Sequence, residues 1–165
     1  MRAGLALGAL AAAAAAALVF LPSVAPPGLA RSSALLATLR PELEPKIRAL
    51  LEHAAAAGIP LVVTSATRTA AEQDRLYAQG RTTPGPIVTE VRAGGSYHNF
   101  GLAADVALLG PDGPTWPEDD ALWSRIGAIG KSLGLTWGGT FPTPDRPHFE
   151  LRIPGVGPGQ SQPIA

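Results

Sequence analysis

The stretch GGSYHNFGLAADVALL, residues 94–109, decides the fold because it combines a strand pattern with two side chains that bind metals or protons. Strand alternation in LAADVALL places Asp105 on one face between two alanines, which leave open space around its carboxylate. The other face is aliphatic: Leu102, Ala104, Val106 and Leu108. We therefore predict a strand that is core on one side and polar on the other.

His98 precedes Asp105 by seven residues, and this odd offset would point the two side chains to opposite faces of one straight strand. Gly101 lies between them and gives the chain a flexible point at which it can bend. We expect this bend to bring His98 back to the face of Asp105.

A second histidine, His148, begins the strand pattern HFELRI, residues 148–153. Alternation points His148 and Glu150 away from the core. The core-facing row consists of Phe149, Leu151 and Ile153. If this strand pairs with the Asp105 strand, then His148 and Asp105 meet on the same open face.

Two imidazoles and one carboxylate, from His98, His148 and Asp105, are a three-ligand set suited to a catalytic zinc ion with one position left for water. Asp145 lies on a proline-flanked turn, where it could take a proton from that water without being a ligand. A histidine hydrogen-bonded to an aspartate is the structural alternative. Glu150 is interpreted as a supporting or surface carboxylate.

Other polar and aromatic residues have simpler interpretations. Ser96 in GGSYH approaches the nucleophile elbow of serine hydrolases, but His98 takes the place of the second glycine, and no strand leads into the segment. His53 lies in a helical pattern without an acidic partner and is interpreted as a surface residue. The three tryptophans are interpreted as core residues rather than sugar-stacking platforms: Trp116, Trp123 and Trp137.

The other segments predict helices and short strands. Residues 34–60 predict one helix with the apolar face Leu43, Ile47, Leu50 and Leu51, which ends at GIP, residues 58–60. LVVTSA (61–66) predicts a strand. TAAEQDRLYAQG (69–80) predicts a helix with a capping box at its start and Gly80 as its C-cap.

Residues 81–95 are predicted to form a long loop, 117–134 a helix and 135–139 a short strand. This order favours an α+β fold with a small, mainly antiparallel sheet and flanking helices.

Length, charge and cysteine content limit the function classes. The 165 residues suffice for one domain with a real core. Thirteen basic and thirteen acidic residues leave no net charge, and so no electrostatic signature of nucleic-acid or anionic-membrane binding. The absence of cysteine excludes disulfides, thiolate metal sites and a cysteine nucleophile.

Residues 1–30 have the layout of a secretory signal, with Arg2, a long apolar run and possible cleavage sites after Ala25 and Ala30. The run is nearly long enough to span a bilayer, so an uncleaved membrane anchor is the alternative. We expect export to the periplasm, cell envelope or extracellular space, a folded domain over residues 31–153 and a disordered Pro/Gly tail over 154–165.

The sequence resembles the zinc D-alanyl-D-alanine peptidase family, which shares its fold with the Hedgehog signalling domain. SYHNFGLAAD (96–105) matches the pattern S-x-H-x-x-G-x-A-x-D, and DRPHFE (145–150) matches D-x-x-H. The family includes D-alanyl-D-alanine carboxypeptidases and the L-alanyl-D-glutamate peptidases of phage endolysins. The similarity runs from about Leu36 to Leu151, and residues 64–89 and 137–151 look like the L-alanyl-D-glutamate branch.

The resemblance implies a zinc peptidase domain with one zinc ion per chain. The implied ligands are His98, Asp105 and His148. Asp145 would be the general base, and Arg68 would steady the scissile carbonyl oxygen as charge develops on it. Gln73 and Ser96 match positions near the substrate.

The implied substrate is a peptidoglycan stem peptide. The protein is expected to act as a monomer. L-alanyl-D-glutamate endopeptidase activity is favoured over D-alanyl-D-alanine carboxypeptidase activity, and a catalytically silent wall-binding module on the same fold is the remaining alternative. Thr67 stands where the family often has an aromatic residue, and Phe141 stands where it often has a second tryptophan after the double glycine. Both departures concern the pocket and leave the implied metal ligands unchanged.

Overall fold

The computed structural model describes residues 27–163. Most of the predicted signal or anchor segment, residues 1–26, lies outside this range. Within residues 27–163, no helix is long and apolar enough to cross a membrane.

Four α-helices, five β-strands and two short 3₁₀ turns make up the regular structure of the described chain. The helices are α1 (Pro27–Leu36), α2 (Glu44–Ala56), α3 (Ala70–Ala78) and α4 (Asp120–Ser132). The strands are β1 (Leu61–Ser65), β2 (Ala103–Gly110), β3 (Gly113–Thr115), β4 (Thr136–Trp137) and β5 (His148–Glu150). The 3₁₀ turns are Tyr97–Phe100 and Gly138–Thr140.

The sheet has the strand order β1-β2-β5-β4, and β3 forms a hairpin with the far end of β2. Every strand pair in it is antiparallel. The predicted α+β class with a small antiparallel sheet is therefore confirmed. β2 is central, and it pairs with β5 so that Asp105 lies directly opposite His148.

The apolar face of β2 lies against the helices, as strand alternation predicts. Ala104 and Val106 belong to the main core, whereas Asp105 points to the opposite face. α2 buries Ile47 and Leu50 in the same core, as its helical spacing predicts. The sheet thus has a fully apolar back and a front on which polar groups can gather.

Three local predictions need correction. Residues 34–60 form two helices instead of one, separated by a turn that contains Pro41. The last strand ends at Glu150, so residues 151–153 lie beyond the sheet. Trp116 is 53% exposed, so its assignment to the core was wrong, whereas Trp123 and Trp137 are buried.

Residues 154–163 follow a path of turns, in which Val156 forms an isolated bridge with Ile153 and Gly157 packs against Tyr97. The predicted disorder of residues 154–165 stays a prediction. The predicted start of the folded domain at residue 31 also stays a prediction. α1 begins at Pro27, and Ser32 on this helix accepts a hydrogen bond from the backbone of Val63 in β1.

Candidate metal centre and active site

Asp105 and His148 are brought together by strand register. They are Cα partners in the β2–β5 pair, and Nδ1 of His148 lies 3.1 Å from Oδ1 of Asp105. Because directly opposed residues in an antiparallel pair point to the same face, both side chains extend from the polar front of the sheet. The strand that carries His148 therefore does pair with the strand that carries Asp105, which the sequence alone left open.

His98 reaches the same carboxylate from the 3₁₀ turn that precedes β2. Its Nε2 lies 3.2 Å from Oδ1 of Asp105. Gly101 follows the turn with φ +65°, a left-handed conformation that glycine adopts without a steric penalty. The bend expected at Gly101 is therefore confirmed, and it overcomes the odd offset between His98 and Asp105.

The outer nitrogen of each histidine has a fixed partner. Nδ1 of His98 donates to the carbonyl oxygen of Ala66 at 2.6 Å, since a carbonyl can only accept. Nε2 of His148 lies 3.1 Å from Glu150, whose other oxygen accepts a hydrogen bond from Arg152. These contacts orient both rings and direct Nε2 of His98 and Nδ1 of His148 toward Asp105.

The charges of this cluster favour a cation at its centre. Burial alone would raise the pKa of Asp105, but the adjacent His98 and His148 outweigh it and lower that pKa far below its usual range. Burial likewise opposes ionisation of Glu150, and hydrogen bonds with His148 and Arg152 lower its pKa. Both carboxylates are therefore anionic over the whole physiological range.

These residues fit a metal ion. One ligand atom each from His98, Asp105 and His148 can be chosen so that all three lie within 4.8 Å of one another. Ala66 and Glu150 contact the outer imidazole nitrogens, and partners of this kind hold metal-binding histidines in one tautomer. A three-ligand set of this type leaves room for water and substrate on a catalytic metal.

Arg68 lies beside the cluster and contacts the second oxygen of Asp105. Its Nη2 donates to Oδ2 of Asp105 at 3.2 Å and to Oγ of Ser65 at 2.9 Å. The two oxygens of Asp105 are thus divided between the arginine and the imidazoles. Arg68 thus lies at the rim of the metal cluster, and its role toward the scissile carbonyl oxygen stays a prediction.

Asp145 lies on the turn that leads into β5. Its backbone N–H donates to the Gly138 carbonyl at 2.9 Å, and its carbonyl accepts from the His148 N–H. Removal from water by the surrounding protein raises the pKa of Asp145, and the charge of Asp105 raises it further. Asp145 is outside the three-ligand group, and its role as general base stays a prediction.

Gln73 is fully buried behind Arg68 and joins it to the loop of residues 81–95. Its Oε1 accepts from Arg68 at 3.0 Å, and its Nε2 donates to the Val91 carbonyl at 2.8 Å and to Thr89 at 3.2 Å. Direct contact of Gln73 with a substrate stays a prediction. The observed bonds hold the arginine and the loop in one arrangement.

Ser96 lines the cavity over the metal cluster and caps the 3₁₀ turn, because its Oγ accepts from the N–H of His98. This cavity has a volume of about 200 Å³. Its polar lining includes Arg68, Ser96, His98, Asp105, Asp145 and His148. Six of the seven predicted site residues therefore converge on one cavity, and the seventh, Gln73, lies directly behind it.

Two structural contributions were missed from the sequence. The Ala66 carbonyl that orients His98 is a backbone group, and no side-chain pattern reveals such a group. Gly138 lies so close to the Asp145 carbonyl that an added Cβ would come within 2.5 Å of it. The double glycine of TWGG was the available signal for this close approach.

Comparisons with known proteins agree with this geometry. Two family models described as D-alanyl-D-alanine carboxypeptidase match residues 36–113 and 89–151. The chain is 42% identical over 122 residues to the peptidoglycan L-alanyl-D-glutamate endopeptidase CwlK of Bacillus subtilis, covering 68% of this chain and 73% of CwlK.

The fold is also similar to that of a solved structure, the L-Ala D-Glu endopeptidase ChiX of Serratia marcescens. The match has a TM-score of 0.55 and 26% identity, and it covers 74% of this chain and 87% of ChiX. The chain therefore belongs to the D-alanyl-D-alanine carboxypeptidase and L-alanyl-D-glutamate endopeptidase family of peptidoglycan-cleaving metallopeptidases.

Proposed function

We propose that this protein is a zinc-dependent L-alanyl-D-glutamate endopeptidase acting on peptidoglycan stem peptides. The observation that carries the proposal is the convergence of His98, His148 and Asp105 within 4.8 Å, with both outer imidazole nitrogens already bonded. The specificity named for CwlK and ChiX supports the choice of bond.

Zinc suits this site because two imidazole nitrogens and one carboxylate oxygen are common ligands of catalytic zinc. His98, Asp105 and His148 would hold the ion, which supplies Lewis acidity to the scissile carbonyl and to the attacking water. Both histidines would present neutral nitrogens to the ion once His148 has lost its Nδ1 proton, and the Asp105 carboxylate would contribute the negative charge. A metal-content measurement on the purified protein checks the identity of the ion.

The other site residues move and stabilise charge. Asp145 accepts the proton of the attacking water and passes it to the leaving amine, which requires Asp145 to be ionised at the start. Arg68 holds a guanidinium at the rim of the cavity, where it stabilises negative charge that develops on the carbonyl oxygen. Its bonds to Gln73 and Ser65 fix this guanidinium before the substrate arrives.

The test of this function uses the full-length protein, purified peptidoglycan and mass spectrometry of the released products. We expect zinc-dependent products that end in L-alanine, and none after chelation. Asp145→Asn should retain bound zinc and lose activity by at least about a hundredfold, since general acid–base catalysis contributes on that order. Failure of the wild-type protein to cleave any peptidoglycan with zinc bound would overturn the proposal.

D-alanyl-D-alanine carboxypeptidase activity is the second candidate, because both matching family models carry that description. The same experiment separates the two activities. A carboxypeptidase releases free D-alanine and leaves the L-alanyl bond intact, whereas the endopeptidase releases peptides that begin with D-glutamate.

We also propose that the protein is exported, on the basis of the N-terminal pattern of Arg2, an apolar run and small residues. Intact mass of the protein recovered from cells checks this. Cleavage after Ala25 would leave α1 whole, whereas cleavage after Ala30 would remove residues 27–30 from that helix. A full-length mass in the membrane fraction would instead indicate an anchor.

A further inference from the structure

A second cavity adjoins the metal-site cavity through Asp145. It has a volume of about 480 Å³, within the range of small-ligand pockets. Its lining includes Trp116, Glu118, Trp123, Pro144, Asp145 and Arg146. Asp145 also lines the cavity over the metal cluster, so this Trp116 groove and that cavity share one wall residue.

Trp116 is the unusual member of this groove. It is 53% exposed, whereas the other two tryptophans are 1% and 7% exposed. Its segment between β3 and α4 is held in place because Nε1 of Trp123 donates to the Pro117 carbonyl at 2.9 Å. The groove therefore has a large aromatic surface on a fixed backbone, in a chain with only 5% aromatic residues.

The polar groups beside this indole suit a hydroxyl-rich ligand. Glu118 and Arg146 line the groove and provide acceptors and donors, and Arg146 is restrained by an ion pair with Asp120. An aromatic face flanked by such groups matches a pyranose, which has an apolar C–H face and a rim of hydroxyls.

Asp145 also lines a larger groove of a different character. This groove has a volume of about 750 Å³ and is lined by Asp145, Phe141, the exposed apolar loop residues Ile87 and Val88, and Arg152. The apolar side chains of this groove suit an extended peptide. The two grooves thus offer distinct chemistry, and Asp145 lines both of them.

We propose that the Trp116 groove binds the N-acetylmuramyl saccharide of peptidoglycan, so that the enzyme selects glycan-linked stem peptides over free ones. This inference rests on the proposed function. In peptidoglycan the L-alanine of the stem is amide-linked to the lactyl group of the muramyl sugar, so a single alanine separates the L-alanyl-D-glutamate bond from the saccharide. The remaining stem then extends into the groove lined by Ile87 and Arg152.

The test compares a disaccharide-linked stem peptide with the same peptide lacking the saccharide. The wild-type protein should show roughly tenfold higher kcat/KM for the linked substrate, and Trp116→Ala should abolish most of this preference. Trp116→Phe should retain part of it, because the aromatic face remains. Ile87→Ala is the matched control, since Ile87 is similarly exposed at 52% but lines the other groove, and its saccharide preference should equal that of the wild type.

Binding of the disaccharide alone provides a readout that is independent of catalysis. Tryptophan fluorescence of the wild-type protein should change saturably with N-acetylglucosaminyl-N-acetylmuramic acid, and that of Trp116→Ala should not. Equal cleavage of linked and free peptides would overturn the saccharide site while leaving the proposed function intact. If neither peptide is cleaved, the proposed function fails, and saturable binding or its absence still decides the saccharide site.

Discussion

At the scale of single residues, the outer nitrogens of the two histidines decide where the ligands point. His98 bonds to a backbone carbonyl, which mutation of a side chain cannot remove. His148 bonds to the carboxylate of Glu150, which can be changed. Glu150 is 4% exposed and also accepts from Arg152, so its position is fixed on both sides.

Glu150→Gln is therefore expected to weaken metal binding by about 10- to 100-fold, the usual cost of losing the hydrogen-bond partner of a metal-binding histidine. The amide keeps the size of the side chain but removes the charge that holds Nε2–H of His148. Competition with a chromophoric chelator measures the affinity. Glu52→Gln, an exposed change on α2, is the control and should bind metal like the wild type. Equal affinities for all three proteins would contradict this role of Glu150.

The metal must also displace a proton from His148. Burial alone would lower the pKa of His148, but its contacts with Asp105 and Glu150 outweigh burial and raise that pKa from 6.5 to about 9 in the metal-free protein. The raised pKa means that protonation stabilises the metal-free fold below pH 6.5, and that this stabilisation is lost as the pH rises through 9.

We therefore expect metal binding at pH 7.5 to release about one proton from His148, and affinity to rise with pH until about 9. Calorimetry in buffers of different ionisation enthalpy measures the released protons. His53→Ala, which changes an exposed histidine on α2, should release the same number. A binding enthalpy independent of the buffer at pH 7.5 would contradict the raised pKa.

At the scale of elements, α4 supports the metal site from the back of the sheet. Gly130 on α4 faces Phe149, which lies between His148 and Glu150 on β5. A Cβ at Gly130 would come within 2.3 Å of the Phe149 ring, so no side chain fits unless this buried ring moves. The glycine allows the helix to approach the strand that carries one metal ligand.

Gly130→Ala should therefore destabilise the protein by about 1–3 kcal/mol, the usual cost of overpacking a core. Helix propensity alone predicts the opposite sign, a gain of about 1 kcal/mol. Urea unfolding decides between the two. Ala128→Gly at an exposed position of α4 reports the propensity effect by itself and should cost about 1 kcal/mol. Stabilisation by Gly130→Ala would show that β5 is not in close contact with the helix.

The elements also show what the sequence could predict. The alternation of apolar and other residues around Asp105 predicts which face of the sheet this side chain occupies, because the aliphatic side of β2 must be buried. The pairing of Asp105 with His148 was conditional, since register between distant segments depends on the whole sheet. Arg68 carries no local pattern and was identified only through the family resemblance. Trp116 was misassigned because an exposed and a buried tryptophan look alike in sequence when no periodicity surrounds them.

At the scale of the whole molecule, the metal ligands connect parts of the chain that are far apart in sequence. His98 lies in the 3₁₀ turn before β2, Asp105 in β2 and His148 in β5, separated by up to 50 residues. The described core of aliphatic and aromatic residues packs behind the sheet and does not include these ligands. The fold should therefore form without metal and gain stability when metal binds.

Zinc at about 100 times its dissociation constant should stabilise the folded protein by about 2.7 kcal/mol. For a domain of this size, that corresponds to a rise in Tm of about 6–10 °C over the chelated protein. Differential scanning calorimetry of the full-length protein, with zinc and with chelator, measures the shift. His98→Ala should abolish most of the rise, and His53→Ala should preserve it. A chelated protein with no cooperative transition would show instead that the fold depends on the metal, since the apolar core would then be insufficient by itself.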